Sequence, residues 1–123
     1  MKKIMIVDDE YVFAKNLKEY LDRVGFSVSI CTDGAQALDL IKEEKPDLIT
    51  LDMRMPGING YDILDQLGDK PESPIIVVIS GIDTDETERR LLKMGAKAVF
   101  HKPVNLTELV LSLKVLLLPG VDE

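Results

Sequence analysis

The chain has 123 residues and a formal net charge of −7, which suits one domain with a single well-formed core and leaves no room for a second. Its basic residues are scattered, so it lacks the positive field that phosphate backbones select, and direct nucleic-acid binding is not expected. Cys31 is the lone cysteine, and neither a signal peptide nor an apolar run of transmembrane length is visible, which excludes an internal disulfide and predicts a cytoplasmic protein with no membrane contact.

In chain order, Lys3 to Val7 is a short apolar run that predicts a first strand and leads into Asp8, Asp9 and Glu10. Phe13, Leu17, Leu21 and Val24 recur at helical spacing, and Gly25 follows as a stop. Phe26 to Ile30 predicts the second strand, and Ala35, Leu38 and Ile41 the second helix, ended by Lys45-Pro46. Asp47 to Leu51 predicts the third strand and runs into Asp52. Gly57, Asn59 and Gly60 read as turn formers. Tyr61, Leu64 and Leu67 give a shorter third helix closed by Gly68, and Ile75 to Ser80 gives the fourth strand, followed by Gly81. Asp85 to Met94 predicts a fourth helix that stays polar until Leu91. Ala98 to Phe100 predicts the last strand, which leads into His101, Lys102 and Pro103, and a fifth helix runs from Leu106 to Leu118.

Five alternations of strand and helix imply an α/β fold, a parallel sheet with helices on both faces. The carboxyl ends of parallel strands open on one edge, where such sheets bind ligands. That edge would gather Asp8, Asp9, Asp52, the Ser80 hydroxyl and the Lys102 ammonium. Two unit charges ~4 Å apart repel by about 4 kcal/mol at an effective dielectric near 20, so clustered carboxylates call for a cation. Mg²⁺ suits oxygen donors, keeps several waters and accepts phosphate oxygens. Metal and ammonium together leave a place for a phosphoryl group, and an Asp carboxylate can be the nucleophile that receives it.

Asp8-Asp9, Leu51-Asp52-Met53-Arg54-Met55-Pro56 with Gly60, Ser80-Gly81 and Lys102-Pro103, in this order and at strand ends, resemble the receiver domain of two-component response regulators. The resemblance covers residues 1–123 as one receiver domain. It implies a flavodoxin-like (βα)5 three-layer sandwich with a five-stranded parallel sheet of order 2-1-3-4-5, as in chemotaxis regulators of this type. It also implies that Asp52 accepts a phosphoryl group from a phosphohistidine on a sensor histidine kinase or phosphotransfer protein. Mg²⁺ would be held by Asp9, Asp52 and the Arg54 backbone carbonyl, with Asp8 acting through water. Lys102, Ser80, the Met53 amide and Gly81 would surround the phosphoryl oxygens, and the Lys102-Pro103 bond is expected to be cis, a form confined in practice to bonds before proline. Such a domain is a switch rather than an enzyme; it assists its own phosphorylation and dephosphorylation and signals to an output domain or target protein.

In one place the chain departs from that pattern. Many receivers carry an aromatic residue three positions before the Lys; here it is Val99, and alternation sends Phe100 to the other face of the sheet, so Ser80 is left as the main switch residue beside Val99. Arg54 and Ile82 flank the expected path of hydrolytic water and are candidates for setting the phosphate lifetime. Glu10 reads as a solvated neighbour, His101 as a surface residue and Met53 as a packing residue. On the last helix Leu111, Val115 and Leu118 form a second apolar stripe, a candidate surface for a homodimer or an adjoining domain. A Mg²⁺-dependent phosphohydrolase of the haloacid dehalogenase type is the rival enzyme, but its Asp-x-Asp spacing is missing from Asp8-Asp9-Glu10. A dinucleotide site lacks its glycine-rich turn, and an unphosphorylated interaction module would have no need of the full residue set.

Overall fold

A computed structural model describes residues 1–68, 70–81 and 84–118. The strands are β1 (Lys3–Val7), β2 (Ser27–Cys31), β3 (Leu48–Leu51), β4 (Arg54–Met55), β5 (Ile58–Asn59), β6 (Ile75–Ser80) and β7 (Ala98–His101). The helices are α1 (Tyr11–Arg23), α2 (Gly34–Glu44), α3 (Gly60–Leu67), α4 (Asp85–Lys93) and α5 (Leu106–Leu116). Five strands form one parallel sheet in the order β2-β1-β3-β6-β7, which is 2-1-3-4-5 once the small β4-β5 pair is set aside.

Alternation along the strands splits the core in two. Ile4, Ile6, Leu48, Val77 and Ile79 pack with Leu17 and Leu21 of α1 and Leu109 and Leu113 of α5. Met5, Val7, Ile49, Leu51, Ile76 and Val78 pack on the other side with Ile41, Ile63, Leu64 and Leu91 from α2, α3 and α4. Both faces are therefore covered, as the uninterrupted apolar runs of a buried parallel sheet require. Leu111 and Val115 of α5, and Leu118 just past its end, are exposed to solvent.

Two differences from the sequence expectation have local causes. The second strand starts one residue late because Phe26 still belongs to the end of α1. Its N–H reaches the Leu21 carbonyl at 3.2 Å, while Gly25 takes a φ of 101°, the left-handed closure that favours glycine. The β4-β5 hairpin has no counterpart in the sequence pattern. Pro56-Gly57 supplies its turn, with Gly57 at φ 84°, and Asn59 ends it while its side chain caps α3 by accepting the Tyr61 N–H at 2.9 Å.

Directly after that hairpin, Gly60 lets α3 approach the segment that follows Asp52. A Cβ at residue 60 would lie 2.8 Å from Met53 Cα and 2.9 Å from its Sδ. Backbone cannot yield as a flexible side chain does. Gly60→Ala should therefore lower stability by about 1–3 kcal/mol, the usual range for overpacking, seen as a lower urea midpoint at unchanged slope.

Candidate functional site

Three residues are fixed just past their strands by backbone bonds that continue the parallel ladders. The Asp8 N–H donates to Cys31 O at 3.0 Å, the Asp52 N–H to Val7 O at 2.9 Å and the Lys102 N–H to Ser80 O at 2.9 Å. Their side chains converge at the carboxyl edge between β1 and β3, where the chain's helices pass to opposite faces of the sheet. Each aspartate is then oriented by a tight local turn: Asp8 Oδ1 accepts the Glu10 N–H at 2.9 Å, and Asp52 Oδ1 accepts the Arg54 N–H at 3.0 Å.

Lys102 is the cation among them. Its Nζ donates to Asp8 Oδ2 at 2.9 Å and to Glu10 Oε1 at 2.8 Å, and stands 3.7 Å from Asp52 Oδ2. It also lies 4.8 Å from the centroid of the Phe13 ring, an attractive cation–π placement. Burial opposes its charge, but the bonds to Glu10 and Asp8 more than offset this and hold the ammonium above its ordinary pKa. Asp52 is buried, and that burial is the main reason its carboxyl is pushed up to about 6. The Arg54 N–H and Lys102 pull it down, whereas the neighbouring Asp8 and Asp9 charges push it up.

Carboxylate oxygens of Asp8, Glu10 and Asp52 lie within 4.8 Å of one another. Among the described residues this is the one acidic group close enough to share a cation, and it includes Glu10 in place of Asp9, which is exposed. The sequence reading of Glu10 as a solvated neighbour thus missed a contact: 62% of its side chain is exposed, yet it is bonded to Lys102. No local pattern marks that pairing, because the two residues are 92 positions apart.

The surrounding cleft, about 600 Å³, is lined by Glu10, Phe13, Asp52, Arg54, Gly81 and Lys102, among others. Ser80 is buried at the end of β6 directly before it, and Met53, the residue after Asp52, is buried too. Val99 faces the core on the α2–α4 side and Phe100 the core beside α1 and α5. The Lys102-Pro103 peptide is cis. His101 is half-buried, with Nε2 3.6 Å from Glu88 Oε2 on α4. Ile82, one of the two candidates for setting phosphate lifetime, lies outside the described residues.

A family model of the response regulator receiver domain matches residues 4–114. The chain belongs to that family. This receiver is similar to the transcriptional regulatory protein CpxR of Escherichia coli (strain K12), with 39% identity over 118 residues, which are 95% of this chain and 50% of the relative. It therefore spans half the length of that protein. Its fold is similar to the signal receiver domain of a DNA binding response regulator protein (merR) from Colwellia psychrerythraea 34H, with a TM-score of 0.87, 30% identity and coverage of 94% of this chain and 98% of the other. A response regulator protein from Burkholderia pseudomallei, solved with a phosphorylated aspartic acid, a calcium ion and citrate, matches at a TM-score of 0.80 and 29% identity, covering 99% and 69% of the two chains. Receivers are signalling domains that accept a phosphoryl group, and the match leaves the hydrolase and dinucleotide readings without support. No helix among the described residues is long and apolar enough to cross a membrane.

Proposed function

We propose that Asp52 accepts a phosphoryl group from a phosphohistidine on a sensor histidine kinase or phosphotransfer protein, and that this modification switches protein contacts. The observation that carries the reading is the state of the Asp52 carboxylate. One oxygen is held by the Arg54 N–H, while the other stands in the cleft 3.7 Å from an ammonium. That oxygen can form the bond to phosphorus as the bond to the donor's imidazole nitrogen breaks and the nitrogen keeps the electron pair. Little covalent chemistry is needed beyond positioning and charge neutralisation.

The residues present fit Mg²⁺. The carboxylate oxygens are hard donors, crowded closely enough that their repulsion adds to the raised pKa of Asp52. Asp9, Asp52 and the Arg54 carbonyl would hold the ion, with Asp8 acting through water. When bound, it would neutralise charge on the phosphoryl oxygens. Lys102 would donate to one of those oxygens, and the Ser80 hydroxyl to another, with the Met53 amide and Gly81 beside them. Ser80 would carry the switch, with Val99 behind it leaving more room than an aromatic ring. Arg54, exposed at the cleft, is placed to influence hydrolysis of the aspartyl phosphate. The phosphorylated aspartate and bound divalent cation of the Burkholderia pseudomallei relative support this assignment by analogy. The message would pass to an output domain or a separate target in the cytoplasm.

The test is incubation with Mg²⁺ and acetyl phosphate followed by intact mass. The wild type should gain one phosphoryl group and Asp52→Asn none. Equal modification of both proteins would move the acceptor to another residue, and turnover of phosphate monoesters with no adduct would revive the hydrolase.

A further inference from the structure

The geometry points to Glu10 as a positioning residue that holds the Lys102 ammonium off the acceptor and so sets how fast Asp52 is phosphorylated. This rests on the reading of Asp52 as acceptor. Glu10 stands at the N-cap of α1 but caps nothing with its side chain, whereas Asp33, Asn59, Thr84 and Asn105 each cap the helix that follows them. Its carboxylate turns instead to Lys102, at 2.8 Å.

An ammonium has three N–H donors. Two are committed, to Asp8 and Glu10, and the distance to Asp52 Oδ2, at 3.7 Å, exceeds a hydrogen bond. The third N–H has no acceptor within hydrogen-bond range among the described residues, and to bring it onto a phosphoryl oxygen at Asp52 the ammonium must move away from one of its two partners. Asp8 is a poor one to release: it is buried, and its other oxygen is occupied by the Glu10 N–H. Leaving its charge unpaired there would be costly. Glu10 is mostly in water, so its bond to Lys102 exchanges for a solvated carboxylate at small cost. Glu10 is thus the partner that Lys102 gives up. Until then it competes with the phosphoryl group for the ammonium, and its own negative charge stands at the cleft mouth facing an anionic donor.

Glu10→Gln keeps the size of the side chain and an acceptor oxygen but removes the charge, which weakens the hold on Lys102 and abolishes the repulsion of an anionic donor. The reaction to follow is transfer from acetyl phosphate, in which the Asp52 Oδ2–P bond forms, the P–O bond to the acetyl group breaks and acetate leaves with the electron pair. At saturating Mg²⁺ and low salt the variant should be phosphorylated about threefold to fivefold faster than wild type, the scale of one exposed charge pair. The advantage should shrink as potassium chloride is raised, because salt screens the exposed Glu10 charge more than the buried Asp8–Lys102 pair. A purely structural role for Glu10 would show no such salt dependence. Equal or slower phosphorylation of Glu10→Gln at every salt concentration overturns the proposal. So does a tenfold loss of Mg²⁺ affinity by titration calorimetry, which would assign Glu10 to the cation instead of to Lys102. If the wild type takes up no phosphoryl group, the acceptor reading fails and carries this inference with it; a modified wild type without a faster variant defeats the role of Glu10 alone.

Discussion

Lys102→Met should cut phosphoryl uptake at Asp52 by roughly 10²- to 10³-fold, the loss typical of removing one preorganised charge stabiliser, and lower stability at neutral pH by about 2–4 kcal/mol. Methionine keeps a long unbranched apolar side chain and removes the ammonium, together with its placement over the Phe13 ring. Removing it leaves Asp8, Glu10 and Asp52 facing one another across less than 4.8 Å with no cation. The full cost of breaking a buried pair, about 3–5 kcal/mol, is not reached because Glu10 is largely solvated. The penalty depends on pH in a definite direction. Lys102 has a raised pKa in the folded state, so its stabilisation is present throughout the neutral range and is lost only as pH climbs through that raised value. Its partners set the lower limit: once Asp52, with a pKa of about 6, takes a proton, the ammonium has less charge to offset. Urea melts of both proteins at about pH 7.5 and about pH 5 should therefore show a larger gap at the higher pH. A variant that matches wild type in uptake would remove Lys102 from the reaction.

How the sequence leads to this site can be traced residue by residue. Asp8, Asp52 and Lys102 each follow a short apolar run, and runs buried on both faces of a parallel sheet end at one edge; their convergence needs only the strand pattern and the crossover rule. The two cores are legible for the same reason, since alternation alone divides Ile4 and Ile6 from Met5 and Val7. What escapes is decided by side-chain reach and local capping. Glu10 differs from Asp9 by one position and one methylene, yet only the carboxylate of Glu10 lies within the acidic group around Asp52. Asn59 has two roles, closing a hairpin and capping α3, and composition suggests only a turn. Pro56-Gly57 was the available signal for that hairpin, but two-residue strands are too short to show periodicity.

The second large effect concerns stability without any phosphodonor. Asp52→Asn should raise the thermal midpoint at about pH 7.5 by roughly 6–12 °C, and the gain should disappear by about pH 4. In the unfolded chain the carboxyl titrates near its ordinary value of about 3.9, whereas in the fold burial raises it to about 6. The folded state therefore binds this proton more tightly. Its contribution is fully favourable below the unfolded pKa and is lost as pH rises through the folded one. At about 1.4 kcal/mol per pK unit, and allowing for screening by water in the open cleft, holding Asp52 ionised at neutral pH costs about 2 kcal/mol. Asparagine removes that cost and keeps the local geometry, because its Oδ1 can still accept the Arg54 N–H and Lys102 retains Asp8 and Glu10. The Asp52 carboxylate is thus placed where burial and its acidic neighbours disfavour its charge until a cation arrives. Added Mg²⁺, binding the folded carboxylates far better than the unfolded chain, should raise the wild-type midpoint more than that of Asp52→Asn and narrow the gap, and EDTA should restore it. Equal midpoints at about pH 7.5 in metal-free buffer would mean that the Asp52 carboxylate is at ease in the fold, and the strain argument would fail.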